Sequence, residues 1–252
     1  MKNPELVAKV LRYGKATARN VLPPIVTRGL RALRDTLRAQ GNGSGATPPP
    51  SEYSTLQNPI EVPCQVECYL LCREVYVRAG DAVLDVGLGL GYGLNILATK
   101  AERLAGIDVD IRSVERGKRI FAGHPRVKEI LAYDGKTIPF ADKTFDVVTC
   151  VEVLEHVPDY EGFLRELTRV ARRCVFITTP NRRPEYTLPN GRPRNYWHLR
   201  EWSQQELDGI LRGLGFRVEW HYLSGKTEAL PEGWTKEPVA ETWSLVPVIR
   251  LD

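Results

Sequence analysis

The chain has 252 residues, enough for one α/β domain with short appendages, and its hydrophobic content of 42% suits a globular protein. It contains no run of 18 apolar residues, and prolines and arginines interrupt its N-terminal segment, so we expect neither a transmembrane segment nor a signal peptide. The five cysteines, an odd number, argue against a disulfide framework and favour a cytoplasmic location. A net charge of +4 does not by itself indicate a nucleic-acid partner.

Positive charge is concentrated in residues 1–40, which hold nine Lys or Arg against Glu5 and Asp35. Four apolar residues recur there with helical spacing between arginines: Val26, Leu30, Leu33 and Leu37. This pattern predicts an amphipathic basic helix that packs on the domain or a second subunit, or else lies peripherally on an anionic membrane surface. Residues 41–50, rich in Gly and Pro, predict a flexible linker, so the main domain is expected over 51–252.

A glycine-rich stretch behind a short apolar run is the most informative motif. Residues 82–86 predict a buried strand and residues 92–100 a helix. The glycines between them, Gly87, Gly89 and Gly91, permit a tight turn and allow backbone N–H groups to approach a ligand without a Cβ in the way. The motif therefore predicts a nucleoside-binding loop.

The spacing of these glycines distinguishes between cofactors. A dinucleotide fingerprint follows G-x-G-x-x-G, but Tyr92 stands where the third glycine belongs. The chain instead has D-x-G-x-G-x-G, in which Asp85 favours a cationic amino group over a pyrophosphate. A second predicted strand ends at Asp108, where a carboxylate can accept both ribose hydroxyls. The pattern favours S-adenosylmethionine, with a dinucleotide or a purely structural turn as alternatives.

Further motifs follow a third predicted strand at 127–131: Asp134-Gly-Lys-Thr-Ile-Pro-Phe, then Phe145-Asp-Val-Val, then Glu152-Val-Leu-Glu-His-Val-Pro-Asp159. With these the chain resembles the class I S-adenosylmethionine-dependent methyltransferases over about residues 80–222, in the group often labelled by ubiquinone and menaquinone O-methyltransferases. The resemblance implies that Asp85 and the three glycines hold the methionine moiety, Asp108 the ribose and Asp134 the adenine amino group. It also adds three residues to the cofactor site: Val109, Gly135 and Val151.

Helical and extended segments alternate along the rest of the chain, with helices expected at 62–77, 111–122, 160–171 and 204–214. Such alternation predicts an α/β fold, a doubly wound (Rossmann-like), mostly parallel seven-stranded sheet with helices on both faces. Ser203 and Glu206 form a predicted capping box. Residues 216–222 and 244–251 are expected to form a C-terminal antiparallel hairpin around a long excursion at 225–243.

Four residues near the carboxyl ends of the strands offer chemistry: Glu152, Glu155, His156 and His198. One hypothesis gives catalytic roles to His156 and Glu152, with His156 as the general base that deprotonates a hydroxyl acceptor. In another, all four bind a divalent metal of the Mn²⁺, Fe²⁺, Co²⁺ or Zn²⁺ type. That arrangement resembles the small-RNA methyltransferases that modify a 3′-terminal ribose 2′-hydroxyl. A purely structural role is the third possibility.

The acceptor is therefore open at this point. We favour a small-molecule or glycan/lipid-linked hydroxyl acceptor. The alternative is an RNA 3′ end, with seven arginines expected near the carboxyl-end loops to follow phosphates: Arg172, Arg173, Arg182, Arg183, Arg192, Arg194 and Arg200. A non-catalytic scaffold is less consistent with the acidic residues of the cofactor motifs.

Overall fold

A computed structural model describes residues 61–223, 234–236 and 242–252 of the chain. The predicted basic helix at 1–40 and the linker at 41–50 lie outside the described residues. In the part that is described, no helix has both the length and the apolar character needed to cross a membrane.

One sheet organises the fold, and its strands are β1 (Ala82–Val86), β2 (Arg103–Asp108), β3 (Val127–Ala132), β4 (Phe145–Val151), β5 (Ala171–Pro180), β6 (Arg217–Leu223), β7 (Trp234–Thr235) and β8 (Ser244–Arg250). Their order across the sheet is β3-β2-β1-β4-β5-β8-β6-β7. The neighbours among β1 to β5 pair in parallel, whereas β8 is antiparallel to both β5 and β6. The seven predicted strands and the C-terminal antiparallel pair are confirmed, and a two-residue edge strand, β7, adds an eighth.

The described helices are α1 (Glu61–Val75), α2 (Tyr92–Leu97), α3 (Ile111–Ile120), α4 (Tyr160–Val170) and α5 (Gln204–Gly213). The capping box at Ser203 and Glu206 is present, so the signal that begins α5 is confirmed. Helix α2 ends three residues before the predicted limit, because the next turn tightens: the amide of Lys100 donates to the carbonyl of Leu97 at 3.0 Å.

Apolar side chains cover both faces of the sheet. On one face, Val83 and Val147 pack with the buried sides of α1, α2 and α3. On the other face, Leu84 and Val148 pack with α4 and α5. Every residue of β1 is buried, as expected for a central parallel strand with helices on both sides.

The strand order reverses between β1 and β4, because β1 connects onward to β2 while β4 connects onward to β5. Ligands of doubly wound sheets bind at the carboxyl ends of the strands near this reversal. The loop 87–91 after β1 and the segment 152–156 after β4 both lie at that edge. The fold therefore brings the cofactor motif and the candidate catalytic residues to the same region.

Candidate active site

The three glycines of the loop after β1 share a left-handed backbone but have different surroundings. Gly87, Gly89 and Gly91 have φ values of +85°, +50° and +82°, in the left-handed region that disfavours residues with a Cβ. A Cβ on Gly87 would overlap the side chain of Val153, whereas a Cβ on Gly89 would meet only the Gly87 carbonyl, at 3.9 Å. Gly91 is the N-cap residue of α2. Open space therefore lies over Gly89, where a ligand has room to approach.

The amides of these glycines are bonded within the protein. Gly87 donates to the carbonyl of Ile107 at 2.9 Å, Gly91 to the carbonyl of Leu88 at 2.9 Å, and Gly89 to Oδ2 of Asp108 at 2.8 Å. The N–H groups of these three glycines are therefore directed into the protein, and contact of a ligand with other N–H groups of the loop stays a prediction. The glycines shape the loop and tie it to the end of β2.

Asp108 accepts the hydrogen bond from Gly89 and can still accept hydrogen bonds from a ligand. Its Oδ2 accepts from Gly89 and its Oδ1 from the amide of Asp110 at 2.9 Å. Since a carboxylate has about four acceptor positions, each oxygen retains one for a ribose hydroxyl. Burial raises the pKa of Asp108, and the bonds from these amides act in the opposite direction. The predicted ribose-binding role is compatible with this geometry.

The loop after β3 lies beside the end of β2. Val109 is 50% exposed, and a Cβ on Gly135 would stand 3.3 Å from its Cγ1. Asp134 is exposed, and its Oδ1 accepts from the amides of Lys136 and Thr137, both at 2.8 Å. Those two bonds, that of Thr137 first, lower the pKa of Asp134 and keep it ionised. An exposed apolar side chain next to a carboxylate suits an adenine ring and its amino group.

Asp85 is fully buried at the other end of the loop. Its Oδ1 accepts from the hydroxyls of Tyr69, at 2.9 Å, and Thr149, at 2.7 Å. Its Oδ2 is also buried and has no hydrogen-bond donor among the described residues. Burial raises the pKa of this carboxyl to about 7. An unsatisfied buried acceptor of this kind fits the amino group of a bound methionine moiety.

Glu152 follows β4 directly, next to the buried Val151, and has an unusual backbone. Its φ is +54°, a left-handed conformation that costs a residue with a Cβ about 1 kcal/mol or more. Its amide donates to the carbonyl of Thr178 at 3.0 Å, and its Oε1 accepts from the hydroxyl of Thr178 at 2.8 Å. The neighbouring strand β5 thus fixes both the backbone and the side chain of Glu152.

Three of the four predicted metal ligands come together. Glu155, His156 and His198 each offer one ligand atom, and these atoms lie within 4.8 Å of one another. Glu152 is not a member of that cluster, because its carboxylate is directed to Thr178. The structure therefore brings together three of the four predicted ligands and leaves Glu152 outside the group, and metal binding by the three stays a prediction.

The hydrogen bonds define which nitrogen of His156 is basic. Nδ1 lies 2.9 Å from the carbonyl oxygen of Trp197, which can only accept, so Nδ1 carries the proton. In the neutral ring Nε2 then has the lone pair, and it lies 3.7 Å from Oε1 of the buried Glu155. Burial lowers the pKa of His156 and raises that of Glu155. The pair is placed to take up one proton.

His198 packs edge-on against His156, with ring centroids 5.1 Å apart. Its Nδ1 donates to Oε1 of Glu201 at 2.6 Å, and its Nε2 accepts from the side-chain amide of Asn195 at 2.8 Å. Both ring nitrogens are therefore engaged. A metal ion on His198 would have to displace the bond from Asn195.

Two of the arginines expected near the site lie at the amino end of a strand, on the opposite side of the sheet from the carboxyl ends. Arg172 and Arg173 belong to the first residues of β5, and they pair with Asp146 at 3.3 Å and Asp81 at 2.6 Å. The sequence-based expectation for these two arginines is wrong, because the first residues of a strand lie at its amino end and not beside the carboxyl-end loops. Arg182 pairs with Glu206 at 2.8 Å.

Several residues of the site were missed by the sequence analysis. Tyr69 is 16 positions before Asp85, in a helix without a recognisable motif, so no local signal points to it. Thr149 and Thr178 are likewise visible only after the strands pair. Asn195 and Glu201 are different, because their spacing of three from His198 was a usable signal for residues that orient its ring.

Comparison with known proteins agrees with this geometry. Residues 84–176 match the family model described as "Methyltransferase domain". A probable S-adenosylmethionine-dependent methyltransferase of Mycolicibacterium smegmatis is 37% identical over 145 residues, covering 56% of this chain and 54% of that protein. The ubiquinone biosynthesis O-methyltransferase of Bordetella parapertussis is 34% identical over 118 residues, covering 44% and 47%. The chain thus spans about half the length of these curated relatives.

Solved structures share the architecture. A SAM-dependent methyltransferase from Aquifex aeolicus aligns with a TM-score of 0.57 at 21% identity, covering 82% of this chain and all of that one. This structural match shows that the fold is shared. Residues 84–176 thus match a methyltransferase domain, and the chain is similar to S-adenosylmethionine-dependent methyltransferases.

Proposed function

We propose that the protein transfers the methyl group of S-adenosylmethionine to a hydroxyl oxygen of a small-molecule or glycan/lipid-linked acceptor. The observation that carries this proposal is the proton arrangement of His156, whose Nδ1 donates to the carbonyl of Trp197 and leaves Nε2 as the base. The cofactor, when bound, supplies an electrophilic methyl group. An acceptor hydroxyl becomes a better nucleophile when a base removes its proton.

His156 and Glu155 can perform that removal together. Because burial lowers the pKa of His156, its imidazole is neutral and able to accept a proton near neutral pH. The imidazolium that forms would lie beside Oε1 of Glu155, which is buried and has no hydrogen-bond donor among the described residues. Glu155 is itself held by the hydroxyl of Thr179 at 3.0 Å. A proton taken from the acceptor thus has a defined place to reside.

The relatives support oxygen as the methylated atom. The Bordetella parapertussis protein carries O-methyltransferase in its name. Asp85, Asp108 and His156 all lie within residues 84–176, which match the methyltransferase family model. The rate of such an enzyme would come largely from holding donor and acceptor in line. We infer the acceptor class from the exposed aromatic rings near the site, among them Tyr196 and Trp197. Such rings can pack against an apolar or sugar-like acceptor.

The experiment is a transfer assay with labelled S-adenosylmethionine against quinols, lipid-linked sugars and oligonucleotides. We expect the variant His156→Ala to lower turnover by at least about tenfold. The matched variant His156→Asn retains an N–H for the Trp197 carbonyl but lacks Nε2, and it should be equally impaired. Full activity of His156→Asn would show that only the bond to Trp197 matters and would refute the base role.

A second candidate is a metal-assisted reaction at an RNA 3′ end, favoured by the cluster of Glu155, His156 and His198. Its donor set of one carboxylate and two imidazoles suits Mn²⁺, Co²⁺ or Zn²⁺ better than Mg²⁺. The same assay separates the two candidates through a chelator arm. Activity on oligonucleotides that chelation removes and Mn²⁺ restores supports the metal candidate, whereas indifference to the chelator supports His156 as the base.

A further inference from the structure

A buried tyrosine connects the helix before the matched domain to the cofactor loop. Tyr69 lies in α1, outside residues 84–176, and its hydroxyl donates to Oδ1 of Asp85 at 2.9 Å. Its ring covers Gly93 at the start of α2, since a Cβ there would overlap the ring atoms. Tyr92 packs edge-on against the same ring, with centroids 5.7 Å apart. One side chain thus contacts both the strand and the helix that flank the glycine loop.

The two oxygens of Asp85 have different surroundings. Oδ1 receives both donors, Tyr69 and Thr149, while Oδ2 is buried with no donor among the described residues. Leaving a buried acceptor unsatisfied is costly unless a ligand completes it. The methionine moiety of the cofactor carries one cationic donor, its amino group. The arrangement therefore directs one oxygen inward to the protein and reserves the other for a cation.

We propose that Tyr69 is a positioning residue for cofactor binding, whose hydroxyl together with Thr149 orients Asp85 so that Oδ2 pairs with the amino group of the methionine moiety. The proposal rests on the proposed function, because it requires S-adenosylmethionine as the ligand. Tyr69 acts through Asp85, and no contact between Tyr69 and the cofactor is needed.

The bond from Tyr69 also affects the charge of Asp85. Burial raises the pKa of Asp85 to about 7, while the bonds from Thr149 and Tyr69 lower it. The titratable groups that face it from α1 and β4, Tyr69, Cys72 and Cys150, have pKa values raised well above their ordinary ranges by burial, so they stay uncharged near neutral pH. The charge of Asp108, at the end of β2, further raises the pKa of Asp85.

The ionised form of Asp85 is the one that attracts an ammonium group, so ligand affinity should fall as the pH drops through the pKa of Asp85. Removing the hydroxyl of Tyr69 removes one bond that lowers this pKa. The fall in affinity should then occur at a higher pH than in the wild type. A tyrosine that only filled space would not produce this shift.

The experiment is calorimetric titration of the full chain with S-adenosylhomocysteine, over about pH 6 to 9, for the wild type and Tyr69→Phe. The variant should bind about tenfold more weakly at neutral pH, with its affinity profile displaced to higher pH. Binding of methylthioadenosine, which lacks the amino-acid group, should not change. Tyr92→Phe is the matched control, since its hydroxyl bonds to Gln65 and not to Asp85.

Thr149→Val removes the second donor to Oδ1 and should give the same ligand-selective loss. Unchanged affinity and pH profile in Tyr69→Phe would overturn the proposal. So would an equal loss for both ligands, which would assign Tyr69 a structural role. A folded wild type with no affinity for S-adenosylhomocysteine would instead contradict the proposed function itself, and this proposal with it.

Discussion

Glu152 is the residue whose backbone departs most from ordinary preference at the candidate active site. At φ +54°, any residue with a Cβ is strained, and the bonds to Thr178 hold it there. We expect Glu152→Gly to be more stable than Glu152→Ala by about 1 kcal/mol, because both lose the carboxylate but only Gly relieves the strain. Urea denaturation of the two variants measures this difference.

Equal stability of the two variants would mean that the backbone at position 152 relaxes away from the left-handed region in solution. Comparison with alanine matters here, since the wild-type side chain also contributes its bond from Thr178. Strained residues of this kind concentrate at functional sites, so the same measurement bears on whether position 152 belongs to the catalytic apparatus.

Sequence motifs identified the residues of the site but not the bonds between them. Asp85, Asp108 and His156 stand in recognisable local patterns, and the structure brings them to one edge of the sheet. The role of Tyr69 depends on how α1 packs against β1, which no local pattern records. Glu152 lies outside the group of candidate metal ligands because the pairing of β4 with β5 brings Thr178 beside it, which no local pattern records either.

Helix α2 contains a glycine that ordinary helix preference would disfavour. Gly93 lies inside the helix, and a Cβ at this position would overlap the ring of Tyr69. We therefore expect Gly93→Ala to destabilise the fold by about 1 to 3 kcal/mol through overpacking, although alanine is the better helix former. Thermal or urea unfolding provides the measurement.

The matched control for this substitution is Gly209→Ala in α5. Nothing lies within 4 Å of a Cβ at Gly209, and its φ is not left-handed. It should stabilise the protein by about 0.5 to 1 kcal/mol. Opposite signs for the two alanines would establish that Tyr69 dictates glycine at position 93. A stabilising Gly93→Ala would show that α1 packs elsewhere.

Elements with a strong local pattern were predicted closely. The apolar run of β1 and the capping box of α5 gave the correct starts, because burial on both faces and a side-chain cap are encoded within a few residues. The two-residue strand β7 was not predicted. Its existence depends on pairing with β6 across the excursion, which is a long-range property.

At the level of the whole molecule, the doubly wound topology itself locates the site. The reversal of strand order between β1 and β4 sets the ends of these strands side by side, so residues about 60 positions apart in the chain share one crevice. The alternation of helical and extended segments predicted this topology, and therefore that the site lies at the carboxyl ends of the strands. The choice of acceptor depends on segments outside the central strands, where sequence patterns carry little information.

Asp85 lowers the stability of the fold near neutral pH while it provides a carboxylate for the cofactor. Its pKa is raised from an ordinary value of 3.8 to about 7 by burial, so the folded state holds its proton over a range in which the unfolded chain has released it. Stability is then lost as pH rises between these two values. We expect Asp85→Asn to gain on the wild type by about 2 to 3 kcal/mol between about pH 5 and 7, and not further above that.

Urea denaturation at several pH values, with and without S-adenosylhomocysteine, checks this trade-off. Burial lowers the pKa of His221 to about 4. The stability that depends on neutral His221 is therefore lost as the pH falls, which is the opposite of the effect of Asp85. His221 is present in both proteins and cancels in the difference. The ligand should raise the stability of the wild type but hardly that of Asp85→Asn. If the stability of the wild type and of Asp85→Asn changed with pH in parallel, Asp85 would not titrate as a buried carboxyl. If the two profiles diverge as the pH rises, the carboxylate that serves the cofactor lowers the stability of the fold near neutral pH.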